Sequence, residues 1–211
     1  MSSTGRGALI VIEGIDRVGK STLCERLRST LASNNKNIEL MRFPFRGTKI
    51  GKCIDDYLSG TSKQCDEVIH LLFSANRWEM NGIMKQKILS GITLIVDRYA
   101  YSGVAYSAAK MTLSLDWCKA PDRGLIKPDL TVYLTADPEV LVSRPGFGDE
   151  IYEKQEFQNK VASMYDHLKE DDWKIVAANG SPEDVLQNVL SDVEETIEKV
   201  KQKEISSLWI N

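Results

Sequence analysis

The stretch ALIVIEGIDRVGKST, residues 8–22, decides the fold of this 211-residue chain. Its first part, Ala8 to Ile12, is an unbroken apolar run rich in β-branched residues. Such a run is typical of a strand buried on both faces, as in a parallel sheet. Residues 14–21 then fit the pattern G-x-x-x-x-G-K-[ST] in full. Leucines follow at helical spacing, at 23, 27 and 31, so the motif lies between a buried strand and an amphipathic helix.

This context predicts a phosphate-binding loop. The glycines allow backbone N–H groups to converge on a phosphate, and the following helix adds the positive end of its dipole. We expect Lys20 to reach the β- and γ-phosphates of ATP and the Ser21 hydroxyl to bind Mg²⁺. Arg17 is expected to neutralise charge on the transferred group, the alternative being a solvated surface arginine. The predicted ATP-binding residues of the loop are Asp16, Arg17, Val18, Gly19, Lys20, Ser21 and Thr22.

Composition excludes several other classes of protein. The net charge of -3 gives no basic excess for binding a nucleic-acid backbone. The four cysteines form no C-x-x-C pair and only two histidines are present, which argues against a zinc site. The sequence has no signal-peptide pattern and no apolar run long enough to span a bilayer. We therefore expect a cytoplasmic protein without a membrane partner, and nuclear presence is compatible with the same features.

Apolar runs and turn signals predict the remaining elements. Further buried strands are expected at 38–43, 93–96, 130–134 and 173–177. Asp66 is expected to cap a long helix with a break near Gly82, and Ser181-Pro182 to open a final helix that reaches about Lys201. Strands that alternate with helices favour an α/β fold, here one domain over residues 1–211 with a five-stranded parallel sheet in a three-layer α/β/α arrangement. Residues 144–153 carry one proline and two glycines and are expected to form a flexible lid.

Arginines and aromatic residues concentrate in three further stretches, at 42–46, 73–78 and 97–106. Asp97-Arg98-Tyr99 comes directly after a buried strand, at the sheet edge where α/β proteins bind ligands. A phosphate acceptor requires cations such as Arg46 and Arg98, and a nucleobase requires a flat partner such as Phe73. The alternative is that the rings fill the core and the arginines pair with carboxylates.

These stretches resemble the eukaryotic thymidylate kinases over nearly the whole chain. The resemblance rests on six segments: the phosphate loop with its Asp16-Arg17 pair, HLLFSANRWE at 70–79, DRYAYSGVAY at 97–106, GLIKPDL at 124–130, FGDEIYE at 147–153 and Leu208-Trp209. The resemblance implies a phosphate-loop nucleoside monophosphate kinase fold. It also implies transfer of the γ-phosphoryl group of Mg-ATP to dTMP and a homodimer.

The resemblance further implies roles for single residues. Asp16 would hold the 3′-hydroxyl of dTMP, Arg46 and Arg98 its phosphate, and Arg77 the base on which Phe73 stacks. Gly103 and Tyr106 would crowd the 2′ position, Tyr152 and Gln158 would close over the acceptor, and Arg144 would lie against adenine. The predicted dTMP-binding residues are Asp16, Phe43, Arg46, Leu58, Phe73, Arg77, Arg98, Gly103, Tyr106, Tyr152 and Gln158. The predicted catalytic residues are Arg17, Lys20, Asp97 and Arg98, with Ser21 and Asp97 at the metal.

Two positions depart from the family pattern. Phe45 stands where the family often has a glutamate, which leaves the partner of Arg46 open. Ile151 stands where the lid often carries an arginine, which favours Arg17 as the cation at the γ-phosphate. Two alternatives also stay open, a deoxynucleoside kinase and a nucleotide-binding regulator without turnover. The acceptor-side arginines argue against the first and an intact phosphate loop against the second.

Overall fold

The computed structural model describes residues 5–34, 36–143, 152 and 155–210. Within these residues five strands form one parallel sheet in the order β2-β3-β1-β4-β5. The strands are β1 Leu9–Glu13, β2 Ile38–Arg42, β3 Thr93–Asp97, β4 Leu130–Thr135 and β5 Lys174–Ala177. The predicted parallel α/β fold is confirmed. β1 lies in the middle of the sheet, between β3 and β4, and every one of its residues is buried.

The helices connect the strands and cover the sheet. They are α1 Lys20–Ser33, α2 Lys49–Leu58, α3 Asp66–Leu89, α4 Ala100–Ala108, α5 Leu115–Lys119, α6 Pro138–Ser143, α7 Gln155–Leu168 and α8 Pro182–Val200, with a 3₁₀ turn at Ala120–Asp122. Helix α1 packs against α8 and the strands β2 and β3, while α4 packs between α3 and α7. The carboxyl ends of β1 and β3 therefore open between two groups of helices, at the edge where the phosphate loop begins.

The long helix α3 differs from its prediction at two points. Its N-cap is Cys65, and Asp66 is the first helical residue, with a carboxylate that accepts from Lys110 Nζ at 2.8 Å and Thr112 Oγ1 at 2.7 Å. The helix continues through Gly82 without a break. Glycine costs about 1 kcal/mol in a helix interior, and the burial of Met84 and Ile88 beyond it outweighs that cost.

The predicted start of the last helix is confirmed. Ser181 caps α8 and forms a capping box with Asp184, whose backbone N–H donates to the Ser181 hydroxyl at 3.2 Å. Helix α4, by contrast, was not predicted as a helix, since its sequence was interpreted as site residues following β3. Among the described residues, no helix combines the length and the apolar character that crossing a membrane requires.

Candidate active site

The phosphate loop joins β1 to α1 with backbone conformations that side chains rarely adopt. Gly14 and Gly19 have φ angles of 141° and 101°, and Arg17 has a φ of 64°. A Cβ on Gly14 would lie 2.6 Å from the carbonyl oxygen of Leu134 in β4. Glycine is therefore required where the loop leaves the sheet, and the tight curl places the Lys20 side chain inside the loop.

Lys20 is buried, and its Nζ donates to the carbonyl oxygen of Ile15 at 2.6 Å. Burial and the positive charge of Arg98 lower the pKa of Lys20 to about 8. A phosphate bound in the loop would raise the pKa of Lys20 again, because its negative charge favours the protonated ammonium group. The charge of Lys20 therefore depends on a bound ligand near pH 8, whereas at lower pH the side chain is mostly protonated without one.

The predicted metal residues Ser21 and Asp97 lie together at the ends of α1 and β3. Asp97 Oδ2 accepts from Ser21 Oγ at 2.6 Å and from Arg42 Nη2 at 2.8 Å. Burial raises the pKa of Asp97, but the charge of Lys20 and the Ser21 hydrogen bond outweigh it, and the net shift is downward. Arg42 was not assigned a site role, although its position at the end of β2, paired in register with Asp97, could have indicated one.

Arg98 organises a second cluster around Asp16. Its Nη1 donates to Gly14 O at 3.1 Å and to Ser102 Oγ at 3.0 Å, and its Nη2 forms an ion pair with Asp16. The Tyr106 hydroxyl donates to Asp16 Oδ2 at 2.9 Å. Both oxygens of Asp16 are thus engaged, and the ion pair with Arg98 holds the phosphate loop against the start of α4.

Gln158 of α7 completes this cluster from the far side. Its Nε2 donates to Asp16 Oδ2 at 2.7 Å and to Tyr152 O at 2.8 Å, while Asp16 N donates to Gln158 Oε1 at 2.9 Å. Gln158 is buried behind Asp16 and ties Tyr152 to the phosphate loop.

A cavity of about 270 Å³ opens in front of these clusters. It brings together most of the predicted acceptor residues with the catalytic ones, namely Asp16, Arg17, Lys20, Ser21, Phe43, Arg46, Leu58, Phe73, Arg77, Asp97, Arg98, Gly103, Tyr106 and Tyr152. Arg42, Pro44, Tyr99, Ser102 and Ser107 line it as well and were not predicted. We refer to it as the acceptor cavity.

One wall of the acceptor cavity is apolar. Leu58 and Phe73 pack with Tyr152 in a small hydrophobic cluster between α2 and α3. Tyr152 stacks on Phe157 with a ring distance of 5.2 Å, and its hydroxyl donates to Tyr57 Oη at 3.1 Å. The flat, partly buried Phe73 ring matches the surface that a nucleobase needs for stacking.

Four arginines of the acceptor cavity pair with carboxylates while lining it, as the alternative interpretation expected: Arg42, Arg46, Arg77 and Arg98. Arg46 Nη1 lies 2.8 Å from Asp55 Oδ1, which supplies the partner that Phe45 left open. Asn76 holds the adjacent backbone, since its Oδ1 accepts from Phe45 N at 2.6 Å and its Nδ2 donates to Phe45 O at 3.1 Å. No local pattern in the sequence indicates this contact of Asn76.

Arg77 is more buried than its predicted role at the base suggested. Its side chain is 2% exposed and forms an ion pair at 2.6 Å with Asp122, which is 0% exposed. Gly103 lies next to it: a Cβ on Gly103 would be 2.7 Å from Arg77 Nη2. Gly103 is therefore constrained by Arg77, and its expected effect on the 2′ position stays a prediction.

A second cavity, of about 570 Å³, lies on the other side of the phosphate loop. The predicted ATP-binding residues Val18, Gly19 and Thr22 line it, together with Val140, Ala178, Asn179, Gly180, Pro182 and Val185. The loop after β5 was not predicted as part of the site. Arg144, expected against adenine, and the lid at 144–153, except Tyr152, lie outside the described residues. We call this space the donor cavity.

Glu13, the last residue of β1, is a fully buried carboxylate that the sequence interpretation missed. Its Oε1 accepts from Tyr99 N at 2.9 Å and Ser102 N at 3.2 Å, and its Oε2 accepts from the Tyr165 hydroxyl at 2.8 Å. The Ser102 hydroxyl also donates to Oε2. Because Ser102 in turn accepts from Arg98, Glu13 supports the Arg98 cluster from below.

A parallel sheet with a phosphate loop on its central strand, and cavities on both sides of that loop, defines the class of phosphate-loop kinases. Comparison with known proteins narrows the class. A family model described as thymidylate kinase matches residues 12–189. The chain is 45% identical over 207 residues to thymidylate kinase of Homo sapiens, with 97% of this chain and 98% of that protein covered.

Further relatives agree. Thymidylate kinase of Arabidopsis thaliana is 49% identical over 205 residues, which cover 97% of this chain and 78% of that protein. Among solved structures, a thymidylate kinase from Candida albicans superimposes with a TM-score of 0.83 at 38% identity, with 97% of this chain and 99% of that one covered. The chain belongs to the thymidylate kinase family, and the alternative of a deoxynucleoside kinase is not favoured.

Proposed function

We propose that this protein transfers the γ-phosphoryl group of ATP to dTMP and so forms dTDP and ADP. The observation that carries the proposal is the meeting of the acceptor and donor cavities at the same side chains. Arg17, Lys20 and Ser21 line both cavities. A phosphate that passes between two nucleotides needs this arrangement, with each nucleotide in its own space and cations at the junction.

The donor cavity suits the ATP molecule. The backbone N–H groups of the loop and the start of α1 favour the phosphates, and the space beside Ala178, Asn179 and Gly180 leaves room for the base and ribose. Arg144 is proposed to lie against adenine on the strength of the family resemblance.

The acceptor cavity suits a pyrimidine nucleoside monophosphate. Arg46 and Arg98 are proposed to bind its phosphate, Asp16 its 3′-hydroxyl, and Phe73 one face of the base. Tyr106 lines the cavity, and its ring is held under the Arg98 guanidinium at 4.9 Å. On the strength of the family resemblance it is proposed to exclude a 2′-hydroxyl. Leu58, Phe43 and Tyr152 complete an apolar surround that keeps water from the base.

The reaction needs no general base. The second pKa of a phosphate monoester is around 6, so the dTMP phosphate is mostly dianionic at neutral pH and its oxygen can attack the γ-phosphorus directly. As that bond forms, the bond from the γ-phosphorus to the bridging oxygen breaks and ADP leaves. Lys20, Arg17 and Arg98 are proposed to screen the charge on the transferred group.

Ser21 and Asp97 are proposed to hold Mg²⁺. Their side-chain oxygens lie 2.6 Å apart, and a hydroxyl with a carboxylate is the kind of oxygen set that this ion takes. Bound there, the ion would neutralise negative charge on the β- and γ-phosphates. Arg42 contacts both side chains and would have to turn aside.

A panel of nucleoside monophosphates with Mg-ATP tests the proposal. We expect ADP release with dTMP and little with AMP, GMP or thymidine. Phosphorylation of thymidine but not dTMP would identify a deoxynucleoside kinase, and no turnover at all would identify a regulator. As the control, Lys20→Ala should lower turnover by orders of magnitude without loss of the folded state.

We also propose a homodimer through α3. Val68, Leu71, Trp78 and Ile83 of this helix are 40–46% exposed, an apolar surface that a second copy would cover. Sedimentation equilibrium should give twice the 23.7 kDa chain mass. Leu71→Glu should give the monomer, and a monomeric parent chain would reject the proposal.

A further inference from the structure

The guanidinium of Arg77 is fixed by a carboxylate that lies deeper than the acceptor cavity. Asp122 accepts from Arg77 Nε at 3.1 Å and from Arg77 Nη2 at 2.6 Å, and Ser74 Oγ donates to the same carboxylate at 2.7 Å. This two-point contact fixes the plane of the guanidinium. Arg77 Nη1 is not engaged by Asp122, and Arg77 lines the acceptor cavity.

Asp122 is held in place independently of Arg77. The segment that carries it contacts α3 at residues spaced four apart, which lie on one face of a helix. His70 Nε2 lies 2.9 Å from Cys118 O, Ser74 bonds Asp122, and Trp78 Nε1 donates to Pro121 O at 2.7 Å. These contacts hold Asp122 in place without the help of a nucleotide.

Gly103 of α4 closes the other side of the guanidinium. A Cβ at Gly103 would lie 2.7 Å from Nη2, 2.8 Å from Nη1 and 3.0 Å from Cζ of Arg77. The guanidinium cannot move aside without leaving Asp122. Gly82, in the middle of α3, is a matched contrast, since a Cβ there would meet no atom within 4 Å.

We propose that Asp122 and Gly103 form a cradle for Arg77 that makes the acceptor site select a base with a carbonyl oxygen rather than an amino group at the ring position facing Arg77. The inference rests on the proposed function and deepens it. An arginine only donates hydrogen bonds, thymine presents O4 as an acceptor, and cytosine presents an amino donor. A guanidinium fixed in one plane rejects that amino group, whereas a mobile one turns away from it. Asp122 is thus a positioning residue.

Asp122→Asn tests the cradle through the specificity ratio. We expect kcat/KM for dTMP to fall about 10- to 100-fold, mainly through KM, and the ratio of kcat/KM for dTMP over dCMP to fall at least about tenfold. The KM for ATP should stay within about twofold, because the donor cavity is untouched. A folded variant with an unchanged ratio would show that Asp122 serves stability alone and overturn the inference.

Gly103→Ala provides a second test that leaves Asp122 in place. Gly103→Ala should lower the ratio of kcat/KM for dTMP over dCMP, whereas the control Gly82→Ala should leave this ratio unchanged. In an Arg77→Met background, whose side chain ends short of the guanidinium position, Gly103→Ala should have no further effect beyond about twofold. An equal effect in both backgrounds would mean that the new methyl group meets the nucleotide itself, and the cradle would be rejected.

The parent chain is assayed beside the variants so that two failures stay distinct. No activity of the parent on dTMP overturns the proposed function and the cradle together. An active parent, with variants that keep its dTMP over dCMP ratio, overturns the cradle and leaves the proposed function intact.

Discussion

Replacement of Glu13 by glutamine should weaken both the fold and the acceptor site, although Glu13 lies outside both cavities. The carboxylate is 0% exposed. Glutamine keeps the oxygen that accepts from the backbone of Tyr99 and Ser102, but it puts an amide nitrogen where Oε2 accepts from the Tyr165 and Ser102 hydroxyls. The Ser102 oxygen already accepts from Arg98 at 3.0 Å, which limits how far that hydroxyl can turn.

The size of the effect follows from these two contacts. A hydrogen bond to a charged group contributes roughly 1.5–3 kcal/mol, and partial rescue by hydroxyl rotation brings the expected loss to about 2–4 kcal/mol. In a chain of this length, 1 kcal/mol shifts the melting temperature by about 2–4 °C. We therefore expect Glu13→Gln to melt roughly 4–16 °C lower, and kcat/KM for dTMP to fall about tenfold as Ser102 releases Arg98.

Calorimetric melting and steady-state kinetics with dTMP measure the two effects. Tyr165→Phe, which removes one donor and leaves the carboxylate intact, should show roughly half of the stability loss. Glu25→Gln, an exposed carboxylate on α1, should change stability by less than about 1 kcal/mol. The reasoning fails if Glu13→Gln melts within about 1 °C of the parent and keeps its kcat/KM.

Three further predictions follow from the site. ATP binding near pH 8 should be accompanied by uptake of a proton, because burial and the charge of Arg98 lower the pKa of Lys20 to about 8 in the free protein and the phosphates raise that pKa again. Titration calorimetry in buffers of different ionisation enthalpy measures this proton uptake. The uptake should fade towards pH 6.5 and be absent in Lys20→Met. Phe73→Ala should raise the KM for dTMP about 5- to 150-fold with ATP binding unchanged, whereas equal loss at both sites with a lower melting temperature would assign the ring to the core. Arg17→Gly should lower kcat at least about tenfold with little change in dTMP affinity, and a collapse of dTMP binding in titration calorimetry would place Arg17 on the acceptor instead.

The sheet and the phosphate loop could be predicted because their signals are local. The apolar run Ala8 to Ile12 is short, rich in β-branched residues and followed closely by Gly14, and these features favour a buried strand over a buried helix. The phosphate-loop pattern assigns each of its residues to a fixed backbone position. Helix α4 was missed because its sequence, residues 100–108, shows no separation of apolar and polar faces. Seven of its nine residues are buried, so the periodicity that marks a surface helix is absent.

The partners of the site residues could not be predicted, because they come from distant parts of the chain. Asp122 lies 45 residues from Arg77, and Gln158 lies 142 residues from Asp16. Glu13 looks in the sequence like the polar end of a strand, and only the approach of Tyr165, 152 residues away, makes it the centre of a network. Side-chain pairing of this kind depends on the packing of helices, which no local pattern records.

The arginine–carboxylate ion pairs of the acceptor cavity differ in burial. This difference distinguishes the pair proposed to bind the phosphate of the acceptor from the pair proposed to bind its base. The Arg46–Asp55 pair is about half exposed, at 50% and 45%, so its contribution is on the order of 0–1 kcal/mol. A dianionic phosphate can therefore replace or join Asp55 at little cost. Arg77 and Asp122, at 2% and 0%, cannot separate in the same way, because breaking a buried pair costs about 3–5 kcal/mol.

A permanent pair suits a neutral ligand, and an exchangeable pair suits an anion. With its charge already compensated by Asp122, Arg77 can donate to an uncharged base without attracting a phosphate into the base site. Arg98 lies between these cases, at 19% exposed with Asp16 at 24%, and its guanidinium also reaches Gly14, Ser102 and Tyr106. A chain of net charge -3 can thus bind two phosphate-bearing nucleotides. Carboxylates position its arginines before the ligands bind, and only the exposed arginine–carboxylate pairs exchange the carboxylate for a phosphate.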